Sequence, residues 1–230
     1  MAIPVGTVVS KARAVLQDTT AVRWPDDELI GWINDAQREI ALIKPDATSC
    51  NDYMPMVPGT KQQLPGDALR LLRVVRNMKD ASSNVGGRAV RLVTREILDA
   101  QEPNWHDPDV GGESAFGDTV KHYMYDEADP LHFYVYPGIS NATVFAPIIE
   151  VVYSADPPAV TSINSTIQIS DLYQNAIVNY VLYMAYMKDA EYAGTSQRAA
   201  SHYQIFTASV TGKAQVDAMT TPNEARVASA

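Results

Sequence analysis

The stretch from Ser170 to Val216 reads as a helical hairpin, and it constrains the chain more than any other segment. Its first arm, SDLYQNAIVNYVLYMAYMKDAEYAG, repeats Ala176, Ile177, Tyr180, Val181, Met184 and Met187 at helical steps, which places them on one face. Ser170 or Asp171 is positioned to cap that arm, and Gly194, following Lys188, to end it. The second arm, SQRAASHYQIFTASVTGKAQV, places Ala199, Tyr203, Phe206 and Val210 at spacings of four, three and four. Two arms with one apolar face each are half of a helical bundle, so the rest of the chain has to supply the other half.

The N-terminal segment is the candidate. A helix is expected over Val5–Gln17, with Val8, Ala12, Val15 and Leu16 inward. A second is expected from Pro25, whose missing N–H has no partner to lose in a first turn. Asp26, Asp27 and Glu28 suit the positive end of that helix, Leu29, Ile33, Ala36, Ile40 and Ile43 form its stripe, and Pro45 stops it. Between Ser49 and Ser165 the pattern changes to strands and turns. Val57-Pro58-Gly59-Thr60 has Pro and Gly where a type II turn needs them. Strands are expected over Leu69–Met78, Arg88–Val93 and Val144–Tyr153, the last interrupted by Pro147 and therefore at an edge or a bulge. Thr94–Gln101 reads as a short helix, Pro103–Asp118 as a long surface loop, and Thr119–Tyr125 with His132–Tyr136 as a hairpin around DEADPL. The expected fold is α+β in one domain: a bundle of N-terminal and C-terminal helices (5–44 and 169–216), a β-rich insertion (49–165), and an extended C-terminal tail (217–230) too polar to order alone.

Composition narrows the functional classes. The single cysteine, Cys50, excludes a disulfide within the chain and a Cys-based zinc site. A start of MAIPVGTVVSKARAV is not that of a signal peptide, and no apolar run is long enough to span a membrane, so a soluble protein made in the cytoplasm is expected. A net charge of −9 argues against holding nucleic acid by its phosphates.

The charges are segregated. Lys61–Arg95 carries eight basic and two acidic residues, whereas Glu96–Asp156 carries one basic and twelve acidic ones. Either these are two solvated faces of a monomer, or the basic surface of one copy meets the acidic surface of the next in a heterologous interface. The second reading names Arg70, Arg73, Arg76, Arg88, Arg91 and Arg95 against Glu102, Asp107, Asp109, Glu113 and Asp118.

Little points to catalysis. His106, His122, His132 and His202 form no i, i+4 pair and no HExxH string. His122 and His132 can face each other across the hairpin, but no third ligand accompanies them, so no metal and no cofactor is expected. Nucleophile-elbow, P-loop and GxGxxG patterns are absent from the sequence. The tyrosines at 123, 125, 134 and 136 pair across the hairpin or offer a contact surface.

Three long strings carry a resemblance: RWPDDELIGWINDAQREIALIKPDA, then LLRVVRNM with GRAVRLVTREILDAQEPNWHD, and finally LYMAYMKDAEYAG with ASHYQIF. Together with KHYMYDEADPLHFYVYP they cover most of residues 5–216 and resemble the bacteriophage head-to-tail adaptor family. The resemblance implies a non-enzymatic virion protein of the neck. Such a protein assembles as a ring, typically of twelve copies, beneath the portal, extends the DNA channel, and docks a tail or nozzle protein. It also implies that the C-terminal segment reaches the portal, here Lys213, Gln215, Val216, Met219, Pro222, Glu224, Arg226 and Val227. DNA would pass an acidic lumen during ejection without sequence-specific binding. Other neck or tail-tube roles are the alternative, and an envelope hydrolase using Glu102 and Glu113 is a more distant one.

Overall fold

A computed structural model describes residues 3–80, 84–109, 115–141, 146–189 and 194–220, apart from the side chains of Ala218 and Thr220. It divides into two units, one formed by Met1–Thr48 with Pro157–Ala230 and the other by Ser49–Asp156.

The first unit begins with a short strand, β1 (Ile3–Pro4), that runs directly into α1 (Val5–Leu16). No side chain caps α1. Its first N–H groups are met instead by backbone, with Val5 N–H donating to Ser165 O at 3.0 Å and Gly6 N–H to Ile163 O at 2.9 Å. A Cβ on Gly6 would press on that Ile163 carbonyl, so the close approach suits a glycine. Helix α2 (Asp26–Ile43) follows, with Leu29, Ile33, Ala36 and Ile40 fully buried along the expected stripe. A loop joins α1 to α2 around Asp18, whose carboxylate accepts the N–H groups of Val22, Arg23 and Trp24 at 3.0–3.1 Å. Arg13 holds the other side of that loop through Asp18 O, Trp24 O and Asp26.

Returning from the second unit, Val160 places both backbone groups on the Asn34 amide of α2, at 2.8 and 2.9 Å. The chain then pairs as β10 (Thr166–Ile167) with β1 and enters α4 (Gln174–Lys188) and α5 (Thr195–Thr220). Gly194, with φ of 90°, makes the turn between the arms. Helix α4 lies at the centre of this unit, and α1, α2 and α5 each pack against it. Its Ala176, Ile177, Val178, Val181, Leu182 and Ala185 are all buried, as a helix enclosed on several sides requires.

The second unit holds two four-stranded sheets. One has the order β2 (Ser49–Pro55), β9 (Ile148–Ala155), β4 (Ala68–Met78), β5 (Gly86–Ala89). The other has the order β3 (Gly59–Gln63), β8 (His132–Ile139), β7 (His122–Tyr125), β6 (Arg91–Leu92). Both sheets contribute to one apolar cluster that includes Met54, Leu71, Val74, Phe133, Val135, Ile149 and Val151. Gly59 has φ of 104°, as the third position of a type II turn demands, and Gln62 clamps that turn through Val57 N–H, Val57 O and Gly59 O. Helix α3 (Arg95–Gln101) and Trp105 build a smaller cluster with Leu98, Met124 and Tyr136.

Several expectations are corrected. The fold is not a bundle of terminal helices carrying a β insertion and an extended tail. It is mixed α and β, with five helices and ten strands in three sheets among the described residues, and one of those sheets, β1–β10, lies in the same unit as α1, α2, α4 and α5. Periodicity reports one face of each helix and cannot count neighbours. It therefore missed that α4 is surrounded and that two short strands close the unit. The extended tail expected from residue 217 is helical to Thr220. The return strand expected at Arg88–Val93 breaks at buried Val90 and passes from one sheet to the other. Pro147 precedes β9, which is a central strand and not an edge, and the bulges of its pairing lie along β4. His122 and His132 do not face each other, because His122 pairs with Tyr136 and His132 with Gln63. Val15 and Met187, placed inward by period, are about half exposed at 50% and 46%. Val144 lies outside the described residues.

Candidate assembly interfaces

The expected basic surface resolves into three separate places. The first is β4. Register shifts along its pairing with β9 set three residues of β4 against two of β9, so Arg70, Arg73 and Arg76 stand opposite Ser154, Val152 and Glu150. An arginine every third residue thus occupies one face, and Ala68, Leu71, Val74 and Asn77 the buried other. Arg76 is consumed within the chain: its Nε donates to Glu150 at 2.5 Å and its Nη2 to Asn84 at 3.0 Å. Gly86 leaves the space across which this guanidinium lies. Glu150 also accepts from Asn51 at 2.9 Å. That bond, seconded by Arg76 and opposed by burial, holds its carboxyl below the usual range.

The second place is the corner where β5 hands over to β6. Arg88 and Arg91 lie on either side of buried Val90 and line a cavity of about 210 Å³ with Ala89, Lys121 and His122. Asn77 fixes this corner, its amide donating to Arg88 O at 2.8 Å and Val120 O at 2.7 Å while accepting Val120 N–H at 2.8 Å. Arg91 N–H donates to Lys121 O at 3.2 Å. His122 stacks on Tyr136, and its Nδ1 is buried without a hydrogen-bond partner in the described structure. Burial, and then the charges of Arg88, Arg91 and Lys121, push its imidazole below the ordinary value. Neither Arg88 nor Arg91 has an ion pair among the described residues. Lys121 and His122 were not legible as part of this group. The parallel pairing of Arg91 with His122 across β6 and β7 is what joins them.

The third place is Arg95 at the start of α3, which pairs with Asp99 at 3.4 Å and lies over the Tyr134 ring at 5.4 Å.

Among the expected acids, Glu102 follows α3, and Asp107 and Asp109 are exposed on the turn after Trp105. Asp107 accepts Asp109 N–H at 3.0 Å. That turn is anchored: Trp105 is wholly buried and donates to Asp99 at 2.8 Å, while His106 stacks on it and bonds Thr60 at 2.7 Å. Asp118 accepts the Thr119 hydroxyl at 3.0 Å ahead of β7. Glu113 lies outside the described residues.

The expected portal-reaching residues divide similarly. Lys213, Gln215, Val216 and Met219 lie on α5, whereas Pro222, Glu224, Arg226 and Val227 are outside the described residues. Lys213 pairs with Asp217 at 2.9 Å and approaches the Tyr173 ring at 5.6 Å. Asp217 also meets Lys44, at the end of α2. Gln215 and Val216 are exposed, as is Met219 at 78%. Among the described residues no group of three or more His, Cys, Asp or Glu side chains is arranged to hold a metal ion, and no helix is long and apolar enough to cross a membrane.

A family model described as SU10 adaptor protein matches residues 3–226. No curated protein matches the chain.

Proposed function

The chain belongs to the SU10 adaptor protein family, a family of phage head-to-tail adaptors, and on that premise we propose that it assembles as a ring, typically of twelve copies, beneath the portal. The ring extends the DNA channel of the virion neck and presents a docking surface to the tail or nozzle protein. Support comes above all from one observation. In the unit formed by Ser49–Asp156, Arg88 and Arg91 lack ion pairs among the described residues, as do the exposed Asp107 and Asp109. Such charges are solvated on a monomer, whereas a heterologous contact between copies pairs both sets. Arg70, Arg73, Glu102, Glu113 and Asp118 belong to the same proposed contact, with Arg76 and Arg95 supporting it through their own acids. The excess of acids lines the bore in this reading, because a negative lumen repels DNA phosphates and lets the duplex slide.

Contact with the portal is assigned to the end of α5 and to the residues beyond it. Gln215, Val216 and Met219 supply the part on α5, Pro222, Glu224, Arg226 and Val227 the remainder, and Lys213 holds the helix end in place.

The test is mixing with portal rings, followed by size-exclusion chromatography with light scattering, for the full chain and for a chain ending at Thr220. The expected result is a ring on the portal with the full chain and loss of portal binding on truncation. Equal binding of both chains takes Pro222, Glu224, Arg226 and Val227 out of the portal contact. Absence of any complex with the full chain refutes the adaptor role itself.

A further inference from the structure

We propose that the cavity formed by Arg88, Arg91, Lys121 and His122 is a carboxylate-binding pocket that receives the Asp107–Asp109 turn of a second copy of this chain. The inference rests on the ring reading above and names the contact that would build it.

The receiving side is built rather than incidental. Three hydrogen bonds with one buried side chain, Asn77, lock the backbone at Arg88 in β5 and at Val120, two residues before β7, on either side of the cavity. Val90 is anchored in the core and bonds Val75 O at 3.1 Å, so the residues flanking it hold their positions at the corner. Two guanidinium forks and an ammonium then surround a concavity of about 210 Å³. Guanidinium groups match a carboxylate with paired, charge-assisted hydrogen bonds. The buried Nδ1 of His122 offers a further polar atom with no partner of its own.

The donating side is equally fixed. Asp107 and Asp109 sit on a turn held by buried Trp105, by the Trp105–Asp99 hydrogen bond, and by the His106–Thr60 bond. Their carboxylates are presented at little further cost in ordering, since the turn is already formed. A phosphate of DNA has the same charge as a carboxylate and is the competing occupant. The chain's net charge of −9 opposes it, and two exposed carboxylates on the same chain are present wherever a second copy is.

The experiment uses two charge-reversed full chains, Arg88→Glu/Arg91→Glu and Asp107→Lys/Asp109→Lys, with portal rings and light scattering. In a head-to-tail ring each copy gives one side and receives the other. Either variant alone therefore sets like charges at every contact and loses the ring. An equimolar mixture sets opposite charges at every contact, alternately reversed and native, and restores it. Loss in both singles with rescue in the mixture is the expected result. A ring formed by either variant alone overturns the proposal, as does a mixture that fails although each variant melts as the native chain does. Arg88→Gln/Arg91→Gln, which carries no repulsion, is expected to weaken the ring as well, and an undiminished ring with it is a second refutation. Loss of duplex DNA binding by that variant with ring formation intact assigns the pocket to phosphate instead. A native chain that stays monomeric with and without portal refutes the ring reading, and with it the partner named here.

Discussion

Lys44, at the end of α2, and Asp217, in the last turn of α5, form an ion pair that joins positions 173 residues apart in the chain. Lys44 is buried to 10% side-chain exposure, and Asp217 shares its carboxylate with Lys213 one turn earlier. The end of α5 is therefore fastened in place, which a tail expected to be extended from residue 217 would not be.

That fastening should respond to acid. The hydrogen bond from Lys44, followed by that from Lys213, holds the Asp217 carboxyl below the ordinary aspartate value of 3.8. A depressed carboxyl stabilises the fold above its unfolded value, and the contribution is lost as pH falls through the lower, folded one. Protection of the amides of residues 213–220 from hydrogen exchange, relative to their intrinsic rates at the same pH, is expected to fall below about pH 4, and Asp217→Asn to produce the same loosening at pH 7. Exchange in that segment unchanged by the substitution would show that the pair does not hold the helix end.

Asn77 offers a test of rigidity at the β5–β6 corner. It is 6% exposed and makes three hydrogen bonds to backbone. Asn77→Ala leaves the buried carbonyl and N–H of Val120, and the carbonyl of Arg88, without that partner, at a cost of about 1–3 kcal/mol. Chemical denaturation should report the loss. Asn77→Asp keeps the acceptor for Val120 N–H but sets a carboxylate against two carbonyl oxygens, and it should be at least as damaging.

Trp105 was hidden in a segment whose Pro, Gly and acids mark a surface loop. It is nevertheless among the largest fully buried side chains, packed with Leu98, Met124 and Tyr136. Truncation to alanine should destabilise the protein by about 3–5 kcal/mol, in the range of other buried aromatics. Trp105→Phe keeps an aromatic ring in the cluster and loses part of the indole and the bond to exposed Asp99, so it should cost less. A thermal or denaturant melt separates the two, and similar losses would mean that phenylalanine does not restore the packing.

What was legible and what was not follows from the range of the interactions. The α2 stripe at Leu29, Ile33, Ala36 and Ile40 is local periodicity, and it is buried as read. The hairpin arms and the turn at Gly59 are local too, each announced by its own glycine or proline. The burial of Trp105 depends on β7 and β8, tens of residues away, and loop composition outweighed it. The arginines of β4 are spaced by three, which does not fit a plain strand; only the bulges against β9 put them on one face. The basic segment was visible as composition. Its division into a spent Arg76, a stacked Arg95 and an open pair at Arg88 and Arg91 is set by acids and aromatics from other strands.

His122 gives the last prediction. Its imidazole lies below the ordinary value of 6.5, first through burial and then through Arg88, Arg91 and Lys121, with a backbone bond to Arg91 acting the other way. In the free protein its titration, followed by NMR, should fall below that of an exposed histidine. The unfolded chain then takes up the proton first, so this group's contribution to stability is present above pH 6.5 and is lost as pH falls through the folded value. Arg88→Gln/Arg91→Gln removes two of the charges but not the burial. The titration should therefore move up without reaching the ordinary value. A carboxylate from a second copy acts in the opposite sense to the arginines, so the assembled protein should titrate higher than the free one. A titration identical in the free protein and in the double variant would show that the arginines do not face this ring.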